Sequence, residues 1–194
     1  MKNIILIGSY MVGTHTLGKR AAEILNLDFI DIDEFIWKKF QESEGYKDSD
    51  FKKVLLERIC RKNAQYFFEK EYYPFLKELK TEKISIITGS PDLALTYENL
   101  SFLREIGTLI NIKRDNDIIL KQIQDNYPEE WKQKNAINNG QRIGDMRELH
   151  ILEFEEAIPY YEEIADFTID NNKSKEEGVN KLVNQIKKIW DEDL

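Results

Sequence analysis

Positive charge is in short supply in this sequence. Lysine and arginine total 28 against 36 aspartates and glutamates, for a formal charge of −8. That balance excludes non-specific nucleic-acid binding as a main role, because backbone affinity is built from clustered cations. Cysteine is almost absent: Cys60 stands alone, closes no internal disulfide and fits a reducing compartment. No apolar run approaches the roughly 20 residues of a membrane-spanning helix. At the N-terminus the apolar stretch Ile4 to Ile7 stops at Gly8, too short for the core of a signal peptide. Internal repeats and low-complexity tracts are missing too. We therefore expect a cytoplasmic protein without a nucleic-acid or membrane partner.

What is there is a soluble composition, 41% hydrophobic and 33% charged over 194 residues, enough for one domain with a full core. The chain is organised around Lys2 to Arg20. An unbroken β-branched run, Ile4 to Ile7, reads as a strand buried on both faces. Gly8 ends it, Gly13 follows, and Thr14, His15 and Thr16 open a helix with Leu17, Ala21, Ile24 and Leu25 on one face and a stop at Asn26. Strand, glycine loop and helix in that order are the layout of a phosphate-binding loop, G-x-x-x-x-G-K-[ST]. Here the glycines are in place, while Thr14 stands where the lysine belongs and His15 where the metal-binding hydroxyl belongs.

The remaining chain alternates. We expect strands at Leu27–Asp33, Lys83–Thr88, Gly107–Ile112 and Ala165–Asp170. Helices are expected at Glu34–Phe40, through most of Phe51–Lys80 with a break at Pro74, and at Asp92–Glu105 and Asp115–Gln124. Two more are expected at Ile151–Glu163, up to about Pro159, and at Lys173–Trp190. Gln41–Asp50 reads as a loop and Tyr127–His150 as a mobile flap, partly helical near Trp131. Alternation of this kind predicts one α/β domain with a five-stranded parallel sheet flanked by helices, its ligands at the carboxyl ends of the strands.

Four segments, in order, resemble the shikimate kinases. They are Ile4 to Arg20; Phe29-Ile30-Asp31-Ile32-Asp33, similar to the family's F-I-D-x-D; Ile86-Ile87-Thr88-Gly89, similar to the start of its T-G-G-G; and Pro159 to Asp166, similar to its P-L-Y-E-E-x-A-D. The resemblance implies a P-loop kinase fold over residues 1–194, with an enlarged helical acceptor side at 41–74 and a lid at 125–150. It also implies transfer of the γ-phosphate of ATP, with magnesium, to the 3-hydroxyl of shikimate. Carried over position by position, Gly8, Val12, Gly13, Thr14, His15 and Thr16 fall on the nucleotide side; the family's arginine-proline lid motif is absent, and Arg142 and Arg147, the only arginines of the flap, are the candidate nucleotide contacts there. Asp31 and Asp33 are the catalytic carboxylates, Asp33, Phe68, Gly89 and Ser90 face the acceptor, and His15, Thr16 and Asp31 lie at the metal.

The departures cluster at that site. Threonine at 14 replaces a charge-assisted contact of about 1.5–3 kcal/mol, and loss of a preorganised donor at a transition state costs roughly 10²–10³ in rate. Lys19 lies five residues on, about 7.5 Å along the helix and on another face. Imidazole at His15 is a poor magnesium ligand. The family's two acceptor-clamping arginines fall on Phe68 and Ala157, and Thr88-Gly89-Ser90-Pro91 replaces the glycine cradle. Two readings stay open. One is a degenerate, catalytically impaired relative that binds nucleotide or another anion weakly, or acts as a regulatory or protein-interaction module. The other is an ATP-dependent phosphotransferase with a different hydroxylated acceptor, in which Arg142 or Arg147 replaces the lysine. ATP and magnesium are the cofactors of an active protein; a degenerate one needs none. Asp31 and Asp33 also fit simple helix capping, and Arg142 and Arg147 solvated flap charges.

Overall fold

The computed structural model describes residues 2–9, 11–44, 73–94, 96–126, 137–138, 141–142 and 158–192. β1 (Asn3–Ile7) is central, because its side chains are apolar on both faces. Ile5 and Ile7 enter one core, and Ile4 and Leu6 the other. Parallel partners flank it: β3 (Ser85–Thr88) through Ile4↔Ile86, and β4 (Gly107–Lys113) through Ile4↔Thr108. β2 (Asp28–Asp31) lies outside β3, and β7 (Phe167–Asp170) outside β4. The order β2-β3-β1-β4-β7 reverses at β1, so a crevice opens at its carboxyl end. This is the expected five-stranded parallel sheet.

Helices cover both faces. α1 (Thr14–Leu25) and the C-terminal helix α6 (Lys175–Glu192) pack on the Ile4/Leu6 face through Leu17, Ala21, Leu182 and Ile186. On the other face lie α2 (Ile32–Glu44), a 3₁₀ turn at Tyr73–Glu78, α3 (Tyr97–Ile106) and a helix, α5, over 158–164. They bury Ile36, Phe40, Leu76, Leu103 and Tyr161. α4 (Asn116–Asn126) follows β4. Asn26 adopts the left-handed conformation, φ 54°, and closes α1 as its sequence position predicts.

Several boundaries differ from expectation, each for a local reason. β2 stops at Asp31 instead of running to Asp33. One Asp31 oxygen, Oδ1, accepts from the Asp33 and Glu34 amides at 2.9 and 3.3 Å and so caps α2. α2 runs at least to Glu44 where a loop from Gln41 was expected; Gln41 and Glu42 are good helix formers. The expected helix over Asp92–Glu105 is two elements, a 3₁₀ turn at Pro91–Ala94 and α3. The second starts afresh because Thr96 is extended and its hydroxyl accepts from the Asn99 amide at 3.2 Å. α5 is helical through Pro159 to 164 instead of ending there. Residues 45–72, the greater part of the expected acceptor-side region 41–74, lie outside the described residues, including Phe68. Of the expected lid, β5 (Ile137–Asn138) and β6 (Gln141–Arg142) are described beyond α4, as an antiparallel pair; Trp131 and Arg147 lie outside.

Candidate functional site

The loop between β1 and α1 is shaped by positive backbone angles. Gly8 has φ 151° and Gly13 φ 101°, where a side chain is strained, and a Cβ on Gly8 would also lie 2.5 Å from the Ile112 carbonyl oxygen. Met11 adopts φ 64° between them. From the end of β7, the Asn171 side-chain amide donates to the Val12 carbonyl at 2.8 Å, while the Asn171 backbone amide donates to Lys113 at 2.8 Å. Asn171 thus fastens the loop to the sheet. α1 has no side-chain cap and no acidic residue in its first turn. The amides of that turn therefore have no partner within the helix, an arrangement that favours anions or hydrogen-bond acceptors.

A cavity of about 470 Å³ opens over this loop. It gathers Gly8, Gly13, Thr14, His15, Thr16, Asp33, Gly89 and Ser90, eight of the residues singled out from the sequence. Val12 is not among them: it is buried behind the loop in the α1 core. Asp31 sits beside the cavity, its Oδ2 lying 3.5 Å from His15 Nε2, with the imidazole edge-on to Phe29 at 5.2 Å. Arg142 is placed by its backbone in β6. Among the described lining residues there is no lysine or arginine, and His15 is the single base.

Magnesium fits these residues poorly. One Asp31 oxygen caps α2, and the other faces the His15 imidazole, a poor magnesium ligand. Among the described residues no group of three or more His, Cys, Asp or Glu is disposed to hold a metal.

Sequence reasoning missed part of this site. Ser9, Met11, Pro91 and Gln122 also line the cavity. Gln122 lies three residues beyond buried Ile119 on α4, a phase that points it inward, and accepts from Arg114 at 2.8 Å. The loop at 89–94 is fixed by α5: the Tyr161 hydroxyl donates to the Pro91 carbonyl at 2.5 Å, and Tyr160 to Ala94 at 2.6 Å. Burial raises the Tyr160 phenol above its ordinary value, partly offset by the Arg104 guanidinium. The Ser90 and Thr88 hydroxyl oxygens are buried without a hydrogen-bond partner among the described residues.

Comparison with known proteins returns one family repeatedly. A family model described as shikimate kinase matches residues 12–187. A shikimate kinase from Alkaliphilus oremlandii is 32% identical over 124 residues, 64% of this chain and 66% of that protein. One from Clostridium botulinum is 29% identical over 188 residues, 97% of this chain and 98% of that protein. Among solved structures, the shikimate kinase of Acinetobacter baumannii, in complex with shikimate, superposes with a TM-score of 0.67 at 20% identity. It covers 100% of this chain and 94% of its own.

Proposed function

The chain belongs to the shikimate kinase family, and from that premise we propose that it keeps the family's ligand cleft while lacking efficient phosphoryl transfer. In this reading it is a binding member of a kinase family, taking small molecules and, weakly, nucleotide. The observation that carries the reading is the absence of lysine and arginine among the described residues lining the cleft, with Thr14 at the lysine position. The family's reaction moves a phosphoryl group whose charge must be stabilised as it transfers. Backbone amides at Gly13 to Thr16 still attract an anion, but Asp33 in the same cavity opposes one. A cytoplasmic setting belongs to this reading and rests on Cys60 being alone; among the described residues no helix is long and apolar enough to cross a membrane.

The test is thermal unfolding with ATP–magnesium, ADP and AMP, together with a phosphotransfer assay on shikimate. A ligand at its own dissociation constant stabilises by RT ln 2, about 0.4 kcal/mol, which is about 1–2 °C for a chain of this size. We expect a shift of that order at millimolar nucleotide and no transfer to shikimate. Turnover of shikimate at an ordinary rate would overturn the reading. Transfer to a different hydroxylated acceptor, lost in Arg142→Ala or Arg147→Ala, would replace it with the phosphotransferase alternative.

A further inference from the structure

A second cavity, of about 550 Å³, opens at the opposite end of the sheet, where β4 and β7 begin. Its volume is in the range of small-molecule sites. Lys2, Arg104, Thr108, Asp166, Phe167 and Ile189 supply the chemistry. Asp166 is held to the backbone: its Oδ2 accepts from the Leu109 amide at 2.8 Å. Arg104 spends one donor on the Ile164 carbonyl at 3.0 Å, which leaves most of its five N–H groups available. Among the described residues neither Lys2 nor Arg104 forms an ion pair. Phe167 is half-buried and Ile189 is 6% exposed, so a small apolar strip, mostly the Phe167 ring, lies beside the cations in a lining that is otherwise polar.

The contrast with the loop cleft is one of sign. In a chain of net charge −8, Lys2 and Arg104 line this cavity, whereas none of the described residues lining the loop cleft is a lysine or arginine; Lys113 and Arg114 stand behind that cleft, with Ser9 in a much smaller cavity. Two cations against one carboxylate leave a local excess of one positive charge, which matches a monoanion better than a dianion. A guanidinium fork recognises a carboxylate through paired hydrogen bonds, and the Phe167 and Ile189 strip suits a compact apolar body. We propose that this cavity is a binding site for a small monocarboxylate carried on an apolar ring or chain, separate from the loop cleft.

Benzoate is the probe, with benzyl alcohol as its uncharged control, titrated into the full chain and followed by amide NMR shifts. Saturable benzoate shifts are expected at Gly107, Thr108 and Phe167, weakening as ionic strength rises. Benzyl alcohol should bind less tightly. Lys2→Gln, at an exposed residue ahead of β1, and Arg104→Gln should each weaken binding about tenfold, the size of one lost charge-assisted contact. Because Arg104→Gln also removes the Ile164 contact, the Lys2 variant keeps the test decisive if the other fails to fold. Shifts confined to Gly13–Thr16, equal binding of the alcohol, or unchanged affinity in Lys2→Gln would each overturn the assignment.

Discussion

Thr14 is the residue on which the reading of the loop turns. Its hydroxyl supplies one neutral hydrogen bond where lysine would supply a charge-assisted one, a difference of about 1.5–3 kcal/mol. The double substitution Thr14→Lys with His15→Ser is therefore expected to tighten ATP–magnesium binding about tenfold to a hundredfold, measured by calorimetry. Unchanged affinity would mean that the loop does not hold phosphate in the family register. Asn171 carries a second prediction. It is 6% exposed and its amide satisfies the Val12 carbonyl. Asn171→Ala leaves that carbonyl unpaired under the loop, at a cost of about 1–3 kcal/mol, readable as a lower urea midpoint. The sequence made Gly8, Gly13, Thr14 and Asp33 legible because loop chemistry is local. Asn171 was not legible, since its partner lies 159 positions away and nothing in its own neighbourhood announces it.

At the scale of elements, α5 and the turn at Pro91–Ala94 act as a pair. Two tyrosine hydroxyls join them, and the turn borders the loop cleft through Pro91. Tyr161→Phe keeps the buried ring and removes the bond to Pro91, so it should cost about 0.5–1.5 kcal/mol and shift the amide resonances of Gly89 and Ser90. Tyr160 adds a pH dependence. Its phenol is raised above the ordinary 10.0, so the folded state holds its proton longer than the unfolded state. Its contribution is complete below about pH 10 and is lost as pH rises through the folded value. The stability gap between the native chain and Tyr160→Phe should narrow above that pH in thermal melts; a constant gap would refute the coupling. These joints also explain which elements could be read in advance. β1, α1 and α6 follow from strong apolar patterns that packing reinforces. The early end of β2 and the restart at Thr96 are decided by single capping side chains, Asp31 and Thr96, competing with strand and helix patterns that run straight through them.

The whole molecule depends on how closely α1 lies on the sheet, because that helix sets where the loop and its first-turn amides stand relative to β1. Gly18 makes the close approach. A Cβ there would lie 2.8 Å from Leu6 Cδ1, 3.0 Å from Phe29 Cε2 and 3.4 Å from Ile86 Cγ2, touching three strands of the sheet at once. Two effects oppose each other on substitution. Alanine favours a helix interior over glycine by about 1 kcal/mol, while overpacking a filled core costs about 1–3 kcal/mol. Gly18→Ala should therefore be destabilised by no more than about 2 kcal/mol, since side-chain ends at Leu6 and Ile86 can give way. Gly18→Val loses the propensity gain and adds two methyl groups against Phe29, so a loss above about 2 kcal/mol is expected. Urea unfolding should report both as lower midpoints with an unchanged slope, the sign of lost stability in the same cooperative unit. If the Val variant matches the native chain, α1 can ride away from the sheet freely, and the loop geometry described above is not fixed by packing.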